Sequence, residues 1–136
     1  MIKHLALVSA AFFGLTACQS TPESTIESEI SGHWHVNKVA NVQVKSFSQA
    51  SIEFNDGVIT GNNGCNNFMG EYQLEDKQLT ITTSGATRKA CVNGLVQQEK
   101  RLMESLPNVV EFVLKNDVLS LKDASGKVLV ELSAKQ

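Results

Sequence analysis

The sequence predicts a mainly β fold, a small antiparallel barrel-like or rolled sheet with one helix packed across it. From Gly32 onward, short runs of alternating apolar and polar residues are separated by turn sequences rich in Asp, Asn and Gly, which is typical of antiparallel strands. One segment, residues 93–106, instead has its apolar residues at helical spacing. The strands are therefore expected to enclose a single core that the helix covers at one opening.

The expected strands follow one another through tight connections. They are Trp34–Val39, Ala50–Phe54, Val58–Gly61, Gly70–Leu74, Gln78–Thr83, Val109–Leu114, Val118–Lys122 and Lys127–Leu132. Residues 55–57 (NDG) and 123–126 (DASG) are hairpin turn sequences, because Asn, Asp and Gly tolerate positive φ. Residues 75–77 and 115–117 would make two further tight turns, and the last three strands form a meander.

Residues 93–106 are expected to form the helix. Its apolar residues Leu95, Leu102, Met103 and Leu106 share one face at 3.6 residues per turn. The opposite, solvated face is expected to hold Gln97, Gln98, Lys100, Arg101 and Glu104. Asn93 is a plausible N-cap and Pro107 would stop the helix. The stripe predicts a core-covering helix, with a partner-binding helix as the alternative.

The first seventeen residues have the three regions of a secretory signal peptide. Lys3 precedes an apolar run from Leu5 to Leu15, and small residues follow the run. A membrane-spanning helix needs about 20 apolar residues, so this run is expected to be cleaved off rather than to span. The alternative, a buried first helix of the fold, would lack an amphipathic stripe.

Cleavage is expected just before Cys18. Residues 15–18 (LTAC) resemble a bacterial lipobox, in which the cysteine thiol is diacylated and the new amino group is acylated. Two or more acyl chains hold a protein stably at a membrane surface. By resemblance to the bacterial sorting rule, Gln19 favours the outer membrane, with the domain in the periplasm. Ordinary cleavage with an unmodified Cys18 is the alternative.

Removal of residues 1–17 would leave a mature chain that suits one domain. It would carry 11 basic residues against 14 acidic ones, because Lys3 is lost from the 12 basic residues of the full sequence. No Lys or Arg cluster is present, so nucleic acid is not expected as a partner. Residues 18–31 are polar and acidic, and they are expected to be a lipid-anchored flexible linker before a globular domain over residues 32–136. A short helix over Glu23–Ile30 would have few apolar partners.

Cys65 and Cys91 remain as a pair if Cys18 carries lipid. In an oxidising compartment such a pair predicts a structural disulfide. Cys65 stands in residues 61–72 (GNNGCNNFMGEY), a glycine-rich stretch that includes a type I′ turn sequence, Asn63-Gly64. Ordering this stretch costs entropy, and a covalent tie would offset part of that cost. A redox-active or metal-binding pair is the alternative, although neither cysteine lies in a C-x-x-C motif.

The sequence around these cysteines resembles the META-domain (HslJ-like) family. Residues 64–72 (GCNNFMGEY) match the pattern G-C-N-x-F-x-G-x-Y, and residues 87–91 (TRKAC) match T-x-x-x-C, with Glu99 in the helix that follows. The resemblance extends from about Gly32 to Leu132. It implies a set of family-motif residues, namely Gly64, Asn66, Phe68, Gly70, Tyr72, Thr87 and Arg88, and a disulfide between Cys65 and Cys91. One small departure is Lys89, where many members carry Met.

The resemblance also implies a small β-rich, barrel-like domain with one helix, often secreted or lipid-anchored in bacteria. Members of the family are linked to envelope or heat stress, motility and secretion. The paired motifs thus agree with the fold class and the compartment that the residues themselves indicate.

No catalytic residue, metal site or cofactor is predicted. His33 and His35 flank Trp34, and both point to solvent if Trp34 points into the core, so surface histidines are expected rather than a Zn²⁺ or Cu²⁺ site. The chain has no G-x-S-x-G, and G-N-N-G at residues 61–64 lacks the Lys and helix of a phosphate loop.

Thr87 and Arg88 have two interpretations. Thr87 is expected to cap a turn while Arg88 pairs with an acid such as Glu99. The alternative is a polar mouth for recognition, lined by Asn66, Asn67, Arg88 and Glu99.

Two functions of different classes fit the sequence. The first is a non-enzymatic binding or stress-related lipoprotein, held at the membrane by its lipid, that binds an envelope protein or a small apolar ligand. An exposed apolar groove near Leu95, Val96, Leu102 or Phe112 would support it. The second is a small periplasmic enzyme, hydrolase-like, with titratable groups clustered in a cleft. The first is preferred because no catalytic constellation is recognisable.

Overall fold

The computed structural model describes residues 22–134 of the chain. It contains nine strands in one antiparallel sheet, two α-helices and one 3₁₀ turn. The strands are β1 (Gly32–Val39), β2 (Val42–Gln43), β3 (Ser51–Asn55), β4 (Val58–Asn62), β5 (Asn67–Glu75), β6 (Gln78–Ala86), β7 (Glu111–Lys115), β8 (Val118–Lys122) and β9 (Val128–Ala134). The helices are α1 (Pro22–Ile30) and α2 (Leu95–Ser105), and the 3₁₀ turn is Leu106–Asn108.

The sheet closes into a ring because β1 pairs with both β3 and β9. Each strand from β3 to β8 pairs with the next strand along the chain, and the short β2 pairs with the far end of β1. This arrangement confirms the predicted antiparallel, barrel-like sheet. All eight expected strands are present. The two-residue strand β2 was not predicted, because it is too short to show an alternating pattern.

Four hairpins form where turn residues adopt the left-handed conformation. Asp56 and Gly57 have φ of 47° and 77°, and Asp76 connects β5 to β6 with a φ of 54°. Asn116 and Asp117 both have positive φ between β7 and β8, as Gly126 does between β8 and β9. Asp and Asn accept this conformation at small cost, so the expected hairpin turns are confirmed.

The ring is weakest between β6 and β7, where the register consists of the single pair Gln78↔Glu111. The 3₁₀ turn contacts β6, and α2 contacts β1 and β9, so the helical segment packs across this end of the barrel. Leu102 and Leu106 are fully buried there, which confirms the predicted core-covering helix. The core itself is one cluster with buried apolar residues from every strand except β2.

The ends of α2 differ from the prediction. The helix begins at Leu95 after Asn93 and Gly94, which are both left-handed, so Gly94 is the N-cap and Asn93 makes no cap. Pro107 lies two residues past the end of α2, as expected, and it is part of the 3₁₀ turn that follows. Gln98, expected in solvent, is 1% exposed. It follows Leu95 by three residues and precedes Leu102 by four, so it shares their buried face.

Helix α1 packs at the opposite end of the barrel, so residues 22–30 are not part of a flexible linker, which was expected over residues 18–31. Ile30 is fully buried in the core, Ile26 packs beside it, and Trp34 Nε1 donates a hydrogen bond of 2.7 Å to the Ile30 carbonyl oxygen. The two isoleucines are four residues apart, so they form a short apolar stripe on one face. The expectation that this segment would find few apolar partners is wrong for its last turn.

Candidate functional site

Four segments meet at the end of the barrel that α2 covers. They are residues 44–50 before β3, residues 62–66 between β4 and β5, residues 87–91 after β6, and the first turns of α2. Buried polar side chains join them, and we call this arrangement the polar network; its buried members are Asn63, Asn66 and Gln98. Buried polar groups are costly unless they are hydrogen-bonded, so each partner in the network matters to the fold.

Asn63 shapes the turn between β4 and β5. Its side-chain Oδ1 accepts hydrogen bonds from the backbone N–H of Cys65 at 3.1 Å and of Asn66 at 2.8 Å. Its Nδ2 donates to Glu99 Oε1 at 3.1 Å. Gly64 is left-handed with φ 106°, whereas Asn63 is not, so the expected type I′ turn is wrong. An Asx-type turn replaces it, because the buried side chain supplies the acceptor.

Gly64 is required by its contact with α2. A Cβ atom at this position would overlap the side-chain amide of Gln98. Gln98 Nε2 donates to the Asn63 carbonyl oxygen at 3.1 Å and to Ser48 Oγ at 2.9 Å, while its Oε1 accepts from the Lys45 backbone N–H at 2.8 Å. One buried glutamine therefore ties α2 to two loops. Its position on the apolar stripe of the helix was the signal that could have identified it.

Asn66 holds the segment after β6. Its Oδ1 accepts from Thr87 Oγ1 at 2.9 Å and from the Lys89 backbone N–H at 2.7 Å. Because these donors fix the amide orientation, Nδ2 faces Glu99, at 3.1 and 3.2 Å from its two carboxylate oxygens. Thr87 Oγ1 also accepts from the Asn67 backbone N–H at 3.1 Å, in keeping with its expected role in capping a turn.

The disulfide lies directly beside this amide and carboxylate. Cys65 and Cys91 are bonded, with their Cα atoms 5.8 Å apart. Cys91 Sγ is 3.3 Å from Glu99 Oε2, and Asn66 Nδ2 is 3.5 Å from Cys91 Sγ and 3.7 Å from Cys65 Sγ. The expected pairing of the two cysteines is present in the structure, next to a half-buried carboxylate.

Arg88 does not take the expected role. It is exposed, and within residues 22–134 no ion pair joins it to Glu99. The amides of Asn63 and Asn66 bind the Glu99 carboxylate instead. Amide donors satisfy a carboxylate without adding a second charge that would have to be desolvated. Of the expected polar mouth, Asn66 is buried and Glu99 half-buried, while Asn67 and Arg88 lie in solvent.

The other motif residues belong to the barrel wall. Phe68 is buried and covers Gly61 on the paired strand. At Gly70 a Cβ atom would overlap the Thr82 carbonyl oxygen, beside a register shift between β5 and β6. Tyr72 lies toward the opposite end, where its ring meets the Phe54 ring edge-to-face at 5.1 Å. These residues bend and fill the sheet, and of the three only Phe68 also lines the groove described next.

A groove crosses the outer face of the sheet from β1 to β6, and we call it the outer groove. Its volume is 630 Å³, and its lining includes His33, Glu53, Thr60, Asn67, Met69 and Gly85. Met69 is 55% exposed. Of the four residues near which the sequence suggested an apolar groove, Leu102 and Phe112 are buried in the core, Leu95 is half-buried and Val96 is exposed. Gly85 pairs with the exposed Met69 and has no side chain on this face, which leaves the outer groove deep enough there to be a candidate binding site.

The two histidines occupy the outer surface, as expected from an inward Trp34, which is 6% exposed. His33 Nε2 is 3.2 Å from Glu53 Oε1 at one end of the outer groove. Ser51 lines the same groove. In the described part of the chain no side-chain hydrogen bond links Ser51 to His33 or His35, so a serine–histidine pair is not assembled.

No helix within the described range is long and apolar enough to cross a membrane. Residues 1–17 and Cys18, expected to be the signal peptide and the lipidation site, lie outside the described residues.

Solved structures share this fold. One, a protein from Burkholderia xenovorans, matches with a TM-score of 0.65 and 18% identity over all of both chains. Another solved protein matches with a TM-score of 0.61 and 24% identity over 79% of this chain and 92% of its own. A DUF4847 family protein from Bacteroides vulgatus matches with a TM-score of 0.55 and 21% identity, covering 79% of this chain and 95% of its own. These likenesses establish the fold.

A search among curated protein sequences finds no relative. The META domain matches residues 25–136, which include most of α1 and all nine strands. This range also holds both cysteines and the motif residues around them, so the chain belongs to the META domain family.

Proposed function

We propose that this protein is a non-enzymatic binding module of the bacterial envelope, and that its outer groove holds an extended segment of an envelope protein. A lipid on Cys18 would anchor it in the outer membrane, with the domain in the periplasm. Membership of the META domain family supports a role other than catalysis. The observation that carries the proposal is the outer groove, whose 630 Å³ is the size of a ligand site.

The shape of the outer groove favours an elongated ligand. Paired residues follow one line across five strands, from His33 through Glu53, Thr60 and Met69 to Gly85. Neighbouring strands are about 4.8 Å apart, so this line is about 19 Å long. An extended peptide of about six residues has the same length at about 3.4 Å per residue.

The chemistry of the lining favours a peptide over a purely apolar molecule. Met69, on the fourth of these five strands, offers a flexible apolar surface that adapts to different side chains. The His33–Glu53 pair lies at one end, and Asn67 and Thr87 lie at the other. Such polar groups can bind the N–H and C=O groups of an extended chain, whereas a hydrocarbon ligand would exclude water from them and offer no hydrogen bond in return.

An enzymatic role is the competing function, because Ser51, His33 and Glu53 share the outer groove. Serine hydrolase chemistry needs a base within hydrogen-bond reach of the serine. The strand register pairs Ser51 with His35, and His33 with Glu53, so the histidine that bonds the carboxylate is not paired with the serine. The arrangement therefore favours binding.

Substitution of Gly85 tests the proposal. A Cβ atom at Gly85 meets nothing within 4 Å, so a side chain can leave the backbone there without a clash, and we expect the indole of Gly85→Trp to fill the outer groove. Thr82→Trp is the matched control, an exposed position on the same strand that does not line the groove. A photo-activated cross-linking residue at Met69 in lipidated protein would report what occupies the groove in cells.

We expect the cross-linker at Met69 to give one discrete adduct, and mass spectrometry to locate it in one extended segment of one envelope protein. A synthetic peptide of that segment should bind the purified protein and the Thr82→Trp variant, but not the Gly85→Trp variant. An adduct with a lipid or another small molecule would overturn the peptide assignment. Equal binding to the Gly85→Trp variant would show that the outer groove is not the site.

A further inference from the structure

The disulfide end of the barrel carries a feature that the outer groove does not use. Among residues 22–134, one group of potential metal-binding side chains lies close together, namely Cys65, Cys91 and Glu99. Their ligand atoms, two sulfurs and a carboxylate oxygen, all lie within 4.8 Å of one another. We propose that reduction of the disulfide converts these three side chains into a binding site for one Zn²⁺ ion.

The spacing fits a tetrahedral site. With Zn–S of about 2.3 Å and Zn–O of about 2.1 Å, a sulfur and an oxygen ligand are about 3.6 Å apart, and two sulfurs about 3.8 Å. Cys91 Sγ is already 3.3 Å from Glu99 Oε2. The two sulfurs must separate by about 1.8 Å from their bonded distance of about 2.0 Å. Cys65 Sγ, which lies within 4.8 Å of the Glu99 carboxylate oxygen, must come to about 3.6 Å from it. Three protein ligands leave a fourth position for water.

The ligand types select the metal. Two thiolates and one carboxylate mix soft and hard donors, which suits borderline Zn²⁺ better than Cu⁺, which prefers sulfur alone, or Mg²⁺, which prefers oxygen. The three anionic ligands with one Zn²⁺ carry a net charge of −1. Half-burial of both cysteines and of Glu99 leaves the ion a path from solvent.

Asn66 is placed to orient these ligands. It is 3% exposed, and its Oδ1 is held by Thr87 Oγ1 and by the Lys89 backbone N–H. Its Nδ2 is consequently directed at the Glu99 carboxylate and at both sulfurs, at 3.5 and 3.7 Å. Donors of this kind around metal-bound thiolates and carboxylates fix their geometry and offset their charge. Asn66 would be a positioning residue and not itself a ligand.

The chemistry balances with a dithiol as reductant. A dithiol R(SH)₂ gives two electrons and two protons to the Cys65–Cys91 bond and becomes a disulfide, leaving two protein thiols. Binding of Zn²⁺ then releases the two thiol protons, while Glu99 binds as its carboxylate. Oxidised protein has no thiolates to offer, so the site exists only in the reduced state.

Cobalt substitution tests this proposal directly. Mature-length protein carrying Cys18→Ser would have Cys65 and Cys91 as its only thiols, because the sequence has three cysteines. After reduction with a phosphine, which adds no competing thiol, Co²⁺ would be titrated in without oxygen. We expect one equivalent to produce a sulfur-to-cobalt charge-transfer band that one equivalent of Zn²⁺ removes, and no band from the oxidised protein.

Two variants on α2 distinguish Zn²⁺ binding by the three-ligand site from Zn²⁺ binding by the two thiols alone. Glu99→Gln keeps the side-chain shape and removes the anionic ligand, so Zn²⁺ affinity, measured against a coloured chelator, should fall by at least about tenfold. Glu104→Gln is the matched control, an exposed acid on the same helix, and should bind like the parent. Equal affinity of the Glu99→Gln variant, absence of the cobalt band, or unfolding of the reduced protein that Zn²⁺ does not reverse would each overturn the proposal.

Discussion

Trp34 Nε1 donates a hydrogen bond of 2.7 Å to the carbonyl oxygen of Ile30, four residues earlier, and both residues are buried. The bond joins the last residue of α1 to β1, the strand that closes the ring. Two side-chain contacts hold the same helix to the β5–β6 hairpin, from Tyr72 to Glu27 and from Lys77 to Glu29. Residues 22–30 are thus part of the folded domain.

Removing the Ile30 side chain should therefore destabilise the whole barrel. Ile30→Ala is expected to lower the free energy of unfolding by about 2–4 kcal/mol, because a fully buried side chain leaves a cavity. Trp34→Phe should cost about 1–2 kcal/mol, since it leaves the Ile30 carbonyl oxygen without its donor. Urea unfolding followed by circular dichroism measures both.

Val42→Ala is the control for this series. Because Val42 is 45% exposed, this substitution should leave the free energy of unfolding almost unchanged. Wild-type stability in the Ile30→Ala variant would show that α1 unfolds independently of the barrel.

The strands and α2 could be predicted because their signals are local. Alternation along each strand and the Asp, Asn and Gly residues between strands fix the hairpins, and Leu95, Leu102 and Leu106 mark the helix face. Helix α1 lacked such a signal. It has only two isoleucines among acidic and polar residues, a composition that indicates a solvated tether. Only the folded barrel shows the site in which Ile30 is buried.

The polar network depends on contacts between distant residues, so little of it could be predicted. The motif pointed to Asn66 and Thr87, and their hydrogen bond of 2.9 Å joins residues 21 positions apart. Nothing local distinguishes Gln98 or Asn63 from solvated residues except the position of Gln98 on the apolar stripe. The predicted ion pair between Arg88 and Glu99 was wrong, because the side-chain amides of Asn63 and Asn66 donate hydrogen bonds to the Glu99 carboxylate instead.

Tyr72 should ionise at a higher pH in the folded protein than in the unfolded chain. Burial raises the pKa of its phenol, and the hydrogen bond to Glu27 raises that pKa further. The neutral phenol thus contributes stability in full below pH of about 10, the ordinary tyrosine pKa, and this contribution is lost as the pH rises above it. Tyr72 is the sole tyrosine, so the near-ultraviolet absorbance of phenolate reports it directly.

Glu27→Gln should lower the pKa of Tyr72 only in part, because burial is the larger cause and remains. The same titration in concentrated urea should return the ordinary value. An unchanged titration of Tyr72 in the Glu27→Gln variant would show that α1 does not contact the phenol in solution.

Loss of the disulfide should lower the free energy of unfolding by about 3.5 kcal/mol, the chain-entropy value for its loop. The loop joins residues with a sequence separation of 26. The Cys65→Ser, Cys91→Ser double variant and the reduced wild type should have similar urea midpoints, both below that of the oxidised protein. If the reduced wild type in the presence of a metal chelator matched the oxidised protein, the bond would contribute nothing to stability.

Cys18→Ser should abolish fatty-acid labelling and move the protein from the membrane fraction to the soluble periplasmic fraction. Acyl chains supply the membrane affinity in the proposed anchoring, and a serine cannot carry the thioether-linked chains. Radiolabelled palmitate and cell fractionation measure the two effects. Ser20→Ala, a neighbouring change that leaves the cysteine in place, should retain both the label and the membrane fraction. Labelling that persists in the Cys18→Ser variant would refute lipidation at this residue.

Substitution by alanine should destabilise the protein at Gly61 but not at Gly85, although both glycines line the outer groove. A Cβ atom at Gly61 would overlap the Ser51 carbonyl oxygen and lie 2.7 Å from the Phe68 ring, whereas at Gly85 it would meet nothing within 4 Å. We expect Gly61→Ala to cost about 2 kcal/mol or more, because the backbone must move, and Gly85→Ala to cost close to nothing. Thermal unfolding of the two variants beside the wild type measures the difference. If the two variants were equally destabilised, the backbone at Gly61 would not lie as close to the Phe68 ring as the structure shows.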